Sequence, residues 1–221
     1  MKNLNKYIDH TNLKPFASRA DIEKLCAEAR EYDFASVCVN PANVALAKEL
    51  LAGSDVMVCT VIGFPLGQNT TEIKVAETEN MYALGCDEFD MVINVGMLKD
   101  RQLDALRDEI AAVVKAAKGK TVKVIIETGL LTDEEKAIAT RLSCEAGAHF
   151  VKTCTGFSAG VATPEDVKIM KANISGDAKI KASAGIRSYA DAKALIESGA
   201  NRLGTSAGIA VIREALESTQ N

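Results

Sequence analysis

An α/β protein, a single (β/α)8 TIM barrel spanning residues 1–221, is what three observations in this sequence predict. Short apolar runs rich in β-branched residues alternate with longer segments of helical periodicity, and eight such pairs can be counted. The runs are close to continuously apolar, as suits parallel strands covered on both faces. The connections are short, and no low-complexity tract, long linker or block of like charge marks a domain boundary. An open doubly wound sheet is the competing arrangement, but no Gly-x-Gly-x-x-Gly turn is present to favour dinucleotide binding on such a sheet.

In chain order, the first run is 6–10 (KYIDH). Ser18 then caps a helix whose Ile22, Leu25, Cys26 and Ala29 share one apolar stripe. The second run is 35–39 (ASVCV), and Asn40-Pro41 reads as a cap and a first-turn proline opening the next helix. The third run is 56–62 (VMVCTVI), and the fourth, 88–94 (EFDMVIN), follows Gly85-Cys86. Leu103, Leu106, Ile110, Val113, Val114 and Ala117 make an amphipathic helix that ends near Gly119. The fifth run, 122–128 (VKVIIET), leads to Thr132 and Glu135 at capping-box spacing. Gly147-Ala148 precedes the sixth run, 149–154 (HFVKTC), which is followed by the cap and proline Thr163-Pro164. The seventh run, 179–184 (KIKASA), leads to Ser188 and the helix bearing Ala192, Leu195 and Ile196. Gly199-Ala200 returns the chain to the eighth, 201–206 (NRLGTS). Glycine at 85, 147 and 199 suits the left-handed backbone that ends a helix.

Composition narrows the function. Lys and Arg number 26 against 30 Asp and Glu, a formal net charge of -4 that argues against nucleic acid as a partner. The six cysteines form no C-x-x-C pair and sit in apolar stretches, and with His10 and His149 the only histidines no metal-ligand cluster is readable. The expectation is reduced, mostly buried thiols, no metal and no organic cofactor. The opening MKNLNKYIDHT lacks the apolar core of a signal peptide, and no apolar run reaches membrane-spanning length, so a soluble, cytoplasmic protein without membrane partners is expected.

In such a barrel the reactive groups lie at the C-terminal ends of strands, so the informative residues are charges that interrupt apolar runs. Lys152 stands opposite Val151 in period-two alternation; with Val151 packed on the helices, Lys152 faces the lumen. Desolvation and a neighbouring cation would lower its pKa, as an amine nucleophile requires. The competing reading is a lysine whose head escapes at the strand end. Lys181, opposite Ile180 on the next strand, has the same parity and would repel Lys152; it competes with an exposed strand-end charge. Asp90 needs a buried partner, for which Lys181 across the barrel is the candidate, unless backbone donors satisfy it. Asp9 and Lys123 are weaker candidates of the same kind. The loops after the last two strands, Ser183-Ala184-Gly185-Ile186-Arg187 and Gly204-Thr205-Ser206-Ala207-Gly208, can cradle phosphate with backbone N–H groups and the following helix N-termini, although turn glycines are the commoner use.

The ordered set YIDHTNLKP, FASVCVNP, VCTVIGFPLG, EFDMVINVG, KVIIETGLLT, FVKTCTGF, KASAGIR and RLGTSAG resembles the short bacterial deoxyribose-phosphate aldolases, a class I family, nearly end to end. The resemblance implies reversible cleavage of 2-deoxy-D-ribose 5-phosphate to acetaldehyde and D-glyceraldehyde 3-phosphate, without a cofactor, by a chain that forms a homodimer. It implies that Lys152 forms the Schiff base and that Lys181 and Asp90 move protons. Asp9, Cys38 and Lys123 would line or support the pocket. Thr155, Gly156, Gly185, Ile186, Arg187, Gly204 and Ser206 would bind phosphate. The sequence departs from the family pattern at Asn12, Cys154, Val161 and Ala184, where leucine, serine, glycine and glycine are usual. Ala184 bears on phosphate affinity, because its methyl group crowds a turn that glycine would leave open. Two alternatives stay open: a Schiff-base aldolase for another phosphosugar, and a non-catalytic phosphosugar-binding barrel.

Overall fold

The computed structural model describes residues 3–220; Met1, Lys2 and Asn221 of the expected 1–221 unit lie outside the described residues. All eight expected runs are strands: β1 (Ile8–Asn12), β2 (Ser36–Val39), β3 (Met57–Ile62), β4 (Glu88–Val92), β5 (Thr121–Ile125), β6 (Phe150–Lys152), β7 (Lys179–Ser183) and β8 (Arg202–Thr205). They pair in sequence order, all parallel, and β8 closes on β1. A closed sheet of this kind has no edge and places every strand's C-terminal end at one mouth.

The helices between them are α1 (Arg19–Glu31), α2 (Val44–Leu50), α3 (Thr71–Ala83), the short α4 (Val95–Lys99), α5 (Leu103–Ala116), α6 (Asp133–Glu145), α7 (Pro164–Asn173), α8 (Tyr189–Ser198) and α9 (Gly208–Gln220). Capping boxes at Ser18 with Asp21, Thr132 with Glu135 and Ser188 with Asp191 start α1, α6 and α8. Thr163 caps α7 ahead of Pro164. Each such cap stabilises its helix by about 1 kcal/mol. Gly85, Gly147 and Gly199 all take positive φ, as their place before a strand predicts. The expectation at Asn40 needs correction. Its side chain caps nothing; its amide donates to Leu13 O at 3.1 Å, a single 3-10 turn fills Pro41–Asn43, and α2 begins only at Val44.

The apolar core lies between barrel and helices, where Val151 and Ile180 are buried. Their neighbours in sequence, Lys152 and Lys181, therefore face the lumen, and the two lysines are register partners across the β6–β7 pair. A small second cluster inside the barrel joins Leu13, Cys38, Cys59 and Val61 to Phe64 of the β3–α3 loop. That loop is held from below by Lys74, a fully buried lysine. It donates to Gly67 O and Val92 O, both at 2.9 Å, and pairs with Glu109 Oε1 at 2.8 Å. Burial pushes its pKa down and Glu109 opposes the fall.

Candidate active site

The lumen is filled with charge. Asp90 of β4 sits at the hub: Oδ2 accepts from Lys152 at 2.8 Å and Lys181 at 2.7 Å, while Oδ1 accepts from Lys123 at 2.9 Å and from the Cys59 thiol at 3.1 Å. A second layer lies beneath. Lys123 also binds Glu88 at 2.7 Å, Lys181 pairs with Asp9 at 2.5 Å, and Arg202 bridges Asp9 at 2.7 Å and Glu88 at 2.9 Å. The Arg202 guanidinium lies 5.8 Å from the Phe150 ring. Every one of these groups is buried; Lys152 retains 3% exposure. Buried charges of this density persist only when each is paired and hydrogen-bonded.

The electrostatics follow from that pairing. Burial opposes ionisation of Asp90, yet Lys123, Lys152 and Lys181 together hold its carboxyl well below the ordinary carboxylate range. Asp9 is likewise depressed, against its burial, by Lys181, Arg202 and Lys123. Burial works against the charge of Lys181, but Asp9 and Asp90 overcome it and push the lysine above its usual range. Lys123 is likewise held well above its usual range, against burial, by Asp90, Cys59, Glu88 and Asp9. The expectation that Lys152 and Lys181 discharge each other through direct repulsion is therefore corrected for Lys181. One carboxylate oxygen stands between the two amines, and Lys181 is held charged.

Above this layer opens a cleft of about 550 Å³. Lys152, Thr155, Gly156, Gly185, Ile186, Arg187, Gly204 and Ser206 line it, so the two glycine turns and the segment after β6 meet at one mouth. Asp9, Cys38, Asp90, Lys123 and Lys181 lie below its floor, and Lys152 alone of the lumenal amines reaches the cleft. Ile186 is itself a core side chain whose carbonyl accepts from Thr205 Oγ1 at 2.7 Å, so it faces the cleft by its backbone. Thr155 also differs from expectation. Its N–H and its hydroxyl both donate to Glu127, the hydroxyl at 2.6 Å, and neither is spare for an anion. At the start of α8, Asp191 already accepts from the backbone N–H of Arg187 and of Ser188, both at 3.0 Å. The N-terminus of α9 has no acidic residue in its first turn, so it offers an anion the less contested helix dipole.

Ala184 takes φ 79°, so this position bears a methyl group on a left-handed backbone that favours glycine. Val161 crowds the same turn: a Cβ added at Gly185 would stand 2.7 Å from it. Cys154 keeps a hydrogen-bonding place, its sulfur 3.2 Å from Thr128 Oγ1.

Three groups contribute to this architecture without having been singled out from the sequence. Glu88 and Arg202 complete the lower charge layer, and Cys59 sits between Asp90 and Lys123. Cys38, Cys59 and Asp90 bring three possible ligand atoms within 4.8 Å of one another. Lys123 Nζ, 3.3 Å from the Cys59 sulfur and 2.9 Å from Asp90, already supplies the positive charge there, so a second cation would be repelled. The Cys59 hydrogen bond holds the Cys38 thiol below its ordinary range against burial, whereas burial, Cys38 and Asp90 all push Cys59 up.

The family model for DeoC/LacD family aldolases matches residues 4–218. A deoxyribose-phosphate aldolase of Streptococcus gordonii is 60% identical over 210 residues, which is 95% of this chain and 96% of that protein. One from Clostridium perfringens is 60% identical over 209 residues, covering 94% and 93%. Among solved structures, the deoxyribose phosphate aldolase of Aeropyrum pernix, described as tetrameric, superposes with a TM-score of 0.90 at 33% identity, covering 98% of this chain and 92% of its own.

Proposed function

The chain belongs to the DeoC/LacD family of aldolases, and from that footing we propose how it works as a class I aldolase that reversibly cleaves 2-deoxy-D-ribose 5-phosphate. One observation carries the proposal. A buried lysine amine, Lys152 Nζ, reaches the floor of a cleft and shares a single carboxylate oxygen with a second buried lysine.

The free amine of Lys152 attacks C1 of the open-chain sugar. Loss of water gives a protonated imine, which withdraws electrons from C2. The C2–C3 bond breaks, its electron pair forms the enamine, and the C3 hydroxyl loses its proton as D-glyceraldehyde 3-phosphate leaves. Protonation of the enamine at C2 and addition of water release acetaldehyde and restore the amine. Asp90 and Lys181 supply and accept these protons. Lys181 has no exposed surface, so it acts through Asp90 Oδ2 or a water rather than on the substrate directly. Positioned proton transfer of this kind contributes about 10²–10⁴-fold in rate.

The phosphate end is held by Gly156, the Gly185–Arg187 turn, Gly204 and Ser206, which line the cleft with Lys152, and α9 begins two residues after Ser206. Fixing the non-reacting end brings C1 to the amine and converts an encounter into a positioned reaction. The same reading puts the enzyme in the cytoplasm, where phosphosugars are made and consumed, as a homodimer. Assembly is supported, though not the dimer in particular, by the Aeropyrum pernix tetramer. Among the described residues, no helix is long and apolar enough to cross a membrane.

Borohydride reduction in the presence of acetaldehyde tests the chemistry. Mass spectrometry is expected to find one ethyl adduct per chain, on Lys152, and none in Lys152→Ala. An adduct on a different lysine, or an equal yield from the variant, rejects the assignment.

A further inference from the structure

We propose that Glu127 is a positioning residue that shapes the Thr155–Phe157 loop for phosphate and so sets the preference for a phosphorylated substrate. The inference rests on the reading of that loop as part of the phosphate site.

Glu127 follows β5 at the catalytic mouth, with φ 58° and ψ 63°. This is left-handed backbone that an L-residue with a Cβ adopts at a cost, and such positions persist where the surroundings repay it. The side chain is 2% exposed, and among the described residues no cation pairs with it. All its partners come from one residue. Thr155 N lies 3.2 Å from Oε1 and 3.4 Å from Oε2, and Thr155 Oγ1 lies 2.6 Å from Oε2. The same hydroxyl oxygen accepts from Phe157 N at 3.1 Å. A chain of bonds thus runs from the carboxylate through Thr155 to Phe157.

That chain spends the loop's donors at both ends and skips the middle one. Gly156 N–H has no partner among the described residues, and Gly156 takes φ 81°, where no side chain covers it. A Cβ at Gly156 would stand 3.6 Å from the Ala184 methyl, so this N–H belongs to the same patch of the cleft as the turn after β7. A buried carboxylate is a stronger acceptor than a neutral group, and charge-assisted bonds hold geometry more firmly. Glu127 therefore fixes which donor the loop offers, without touching the substrate.

The test compares cleavage of 2-deoxyribose 5-phosphate with that of unphosphorylated 2-deoxyribose in the wild type, Glu127→Gly and Glu127→Gln. Glycine suits φ 58°, so Glu127→Gly deletes the clamp while easing the backbone, and a thermal melt checks that it folds. For the phosphorylated sugar, kcat/KM is expected to fall about tenfold, mostly through KM, which is the effect of losing one charge-assisted hydrogen bond. For the unphosphorylated sugar it changes by less than about twofold, since no bond to phosphate is at stake. Glu127→Gln, which keeps one acceptor oxygen, falls between, and it carries the test should the glycine variant not fold. Equal losses for both sugars would reveal a merely structural residue and overturn the proposal, as would no loss at all. A wild type that cleaves both sugars equally well would overturn the phosphate site itself, and Glu127's assignment with it.

Discussion

Asp90→Asn isolates the charge at the hub of the lumen while keeping its shape. Asp90 accepts from three ammonium groups and a thiol at 2.7–3.1 Å, all within a closed barrel. Removing one partner from a buried ion pair costs about 3–5 kcal/mol, because the other charges stay buried and uncompensated. A domain of this size loses about 2–4 °C of Tm per kcal/mol, so multiplying the two ranges gives a fall of about 6–20 °C at neutral pH. The fall also depends on pH, with a sign that can be worked out. Lys181, raised in the wild type by Asp9 and Asp90, keeps only Asp9 in the variant. A lysine whose folded pKa is raised contributes stability that is fully present below its unfolded value of about 10.4 and is lost as pH rises above it. The deficit of Asp90→Asn is therefore largest at neutral pH and narrows as pH rises above ~10.4. Thermal melts monitored by circular dichroism at neutral pH and at pH ~11 check both points, and turnover is expected to drop about 10²–10⁴-fold alongside. A Tm change below about 2 °C at neutral pH would refute the picture of Asp90 as the charge on which three lysines depend.

Two further outcomes follow from backbone and titration. Ala184→Gly removes a left-handed strain of about 1–2 kcal/mol and adds about 0.5–1 kcal/mol of unfolded-chain freedom, so Tm should rise by a few degrees; a fall would mean that the methyl packing outweighs the strain. His10 is buried with Nε2 2.8 Å from Glu28 Oε2, and burial pulls its pKa down while Glu28 opposes the fall. A depressed histidine contributes its full stability above its unfolded pKa of about 6.5 and loses it as pH drops below that value. The wild type should therefore lose more Tm on acidification than His10→Gln, and a gap between the two that is independent of pH would contradict this.

The barrel was legible because its signals are local and mutually consistent. Each strand run, the glycines at 85, 147 and 199, and the caps at Ser18, Thr132, Thr163 and Ser188 depend on neighbours a few residues away. Asn40 departs from the expected cap because its amide N–H is turned to a distant carbonyl, Leu13 O, which no local pattern reveals. Lys152, Lys181, Asp90, Asp9 and Lys123 stood out as charges interrupting apolar strands, and all five meet in the lumen. Glu88 and Arg202 carry the same inward parity, but each opens its strand, where charge passes for a solvated end. Cys59 passed as apolar. Glu127 lies beyond the regular strand and reveals itself only through its backbone angle and the fold of a second loop.

Counting the lumen as a whole sets apart the one lysine proposed for covalent chemistry. Asp9, Glu88 and Asp90 face Lys123, Lys152, Lys181 and Arg202: three acids against four bases. A closed, low-dielectric interior tolerates net charge poorly, so balance is reached when one of the four bases is neutral. Arg202 keeps its proton at any ordinary pH. Lys123 contacts all three carboxylates and Lys181 contacts two, and both are held charged. Lys152 touches Asp90 alone, through an oxygen it shares with Lys181, and it alone reaches the cleft. The lysine with the fewest carboxylate partners is thus the one a carbonyl can meet. The protonated imine adds a fourth cation to the three carboxylates, and cleavage to the neutral enamine relieves that excess. Lys123 and Lys181 keep Asp90 ionised and in place, so the proposed chemistry draws on the whole lumen rather than on a single neighbouring pair.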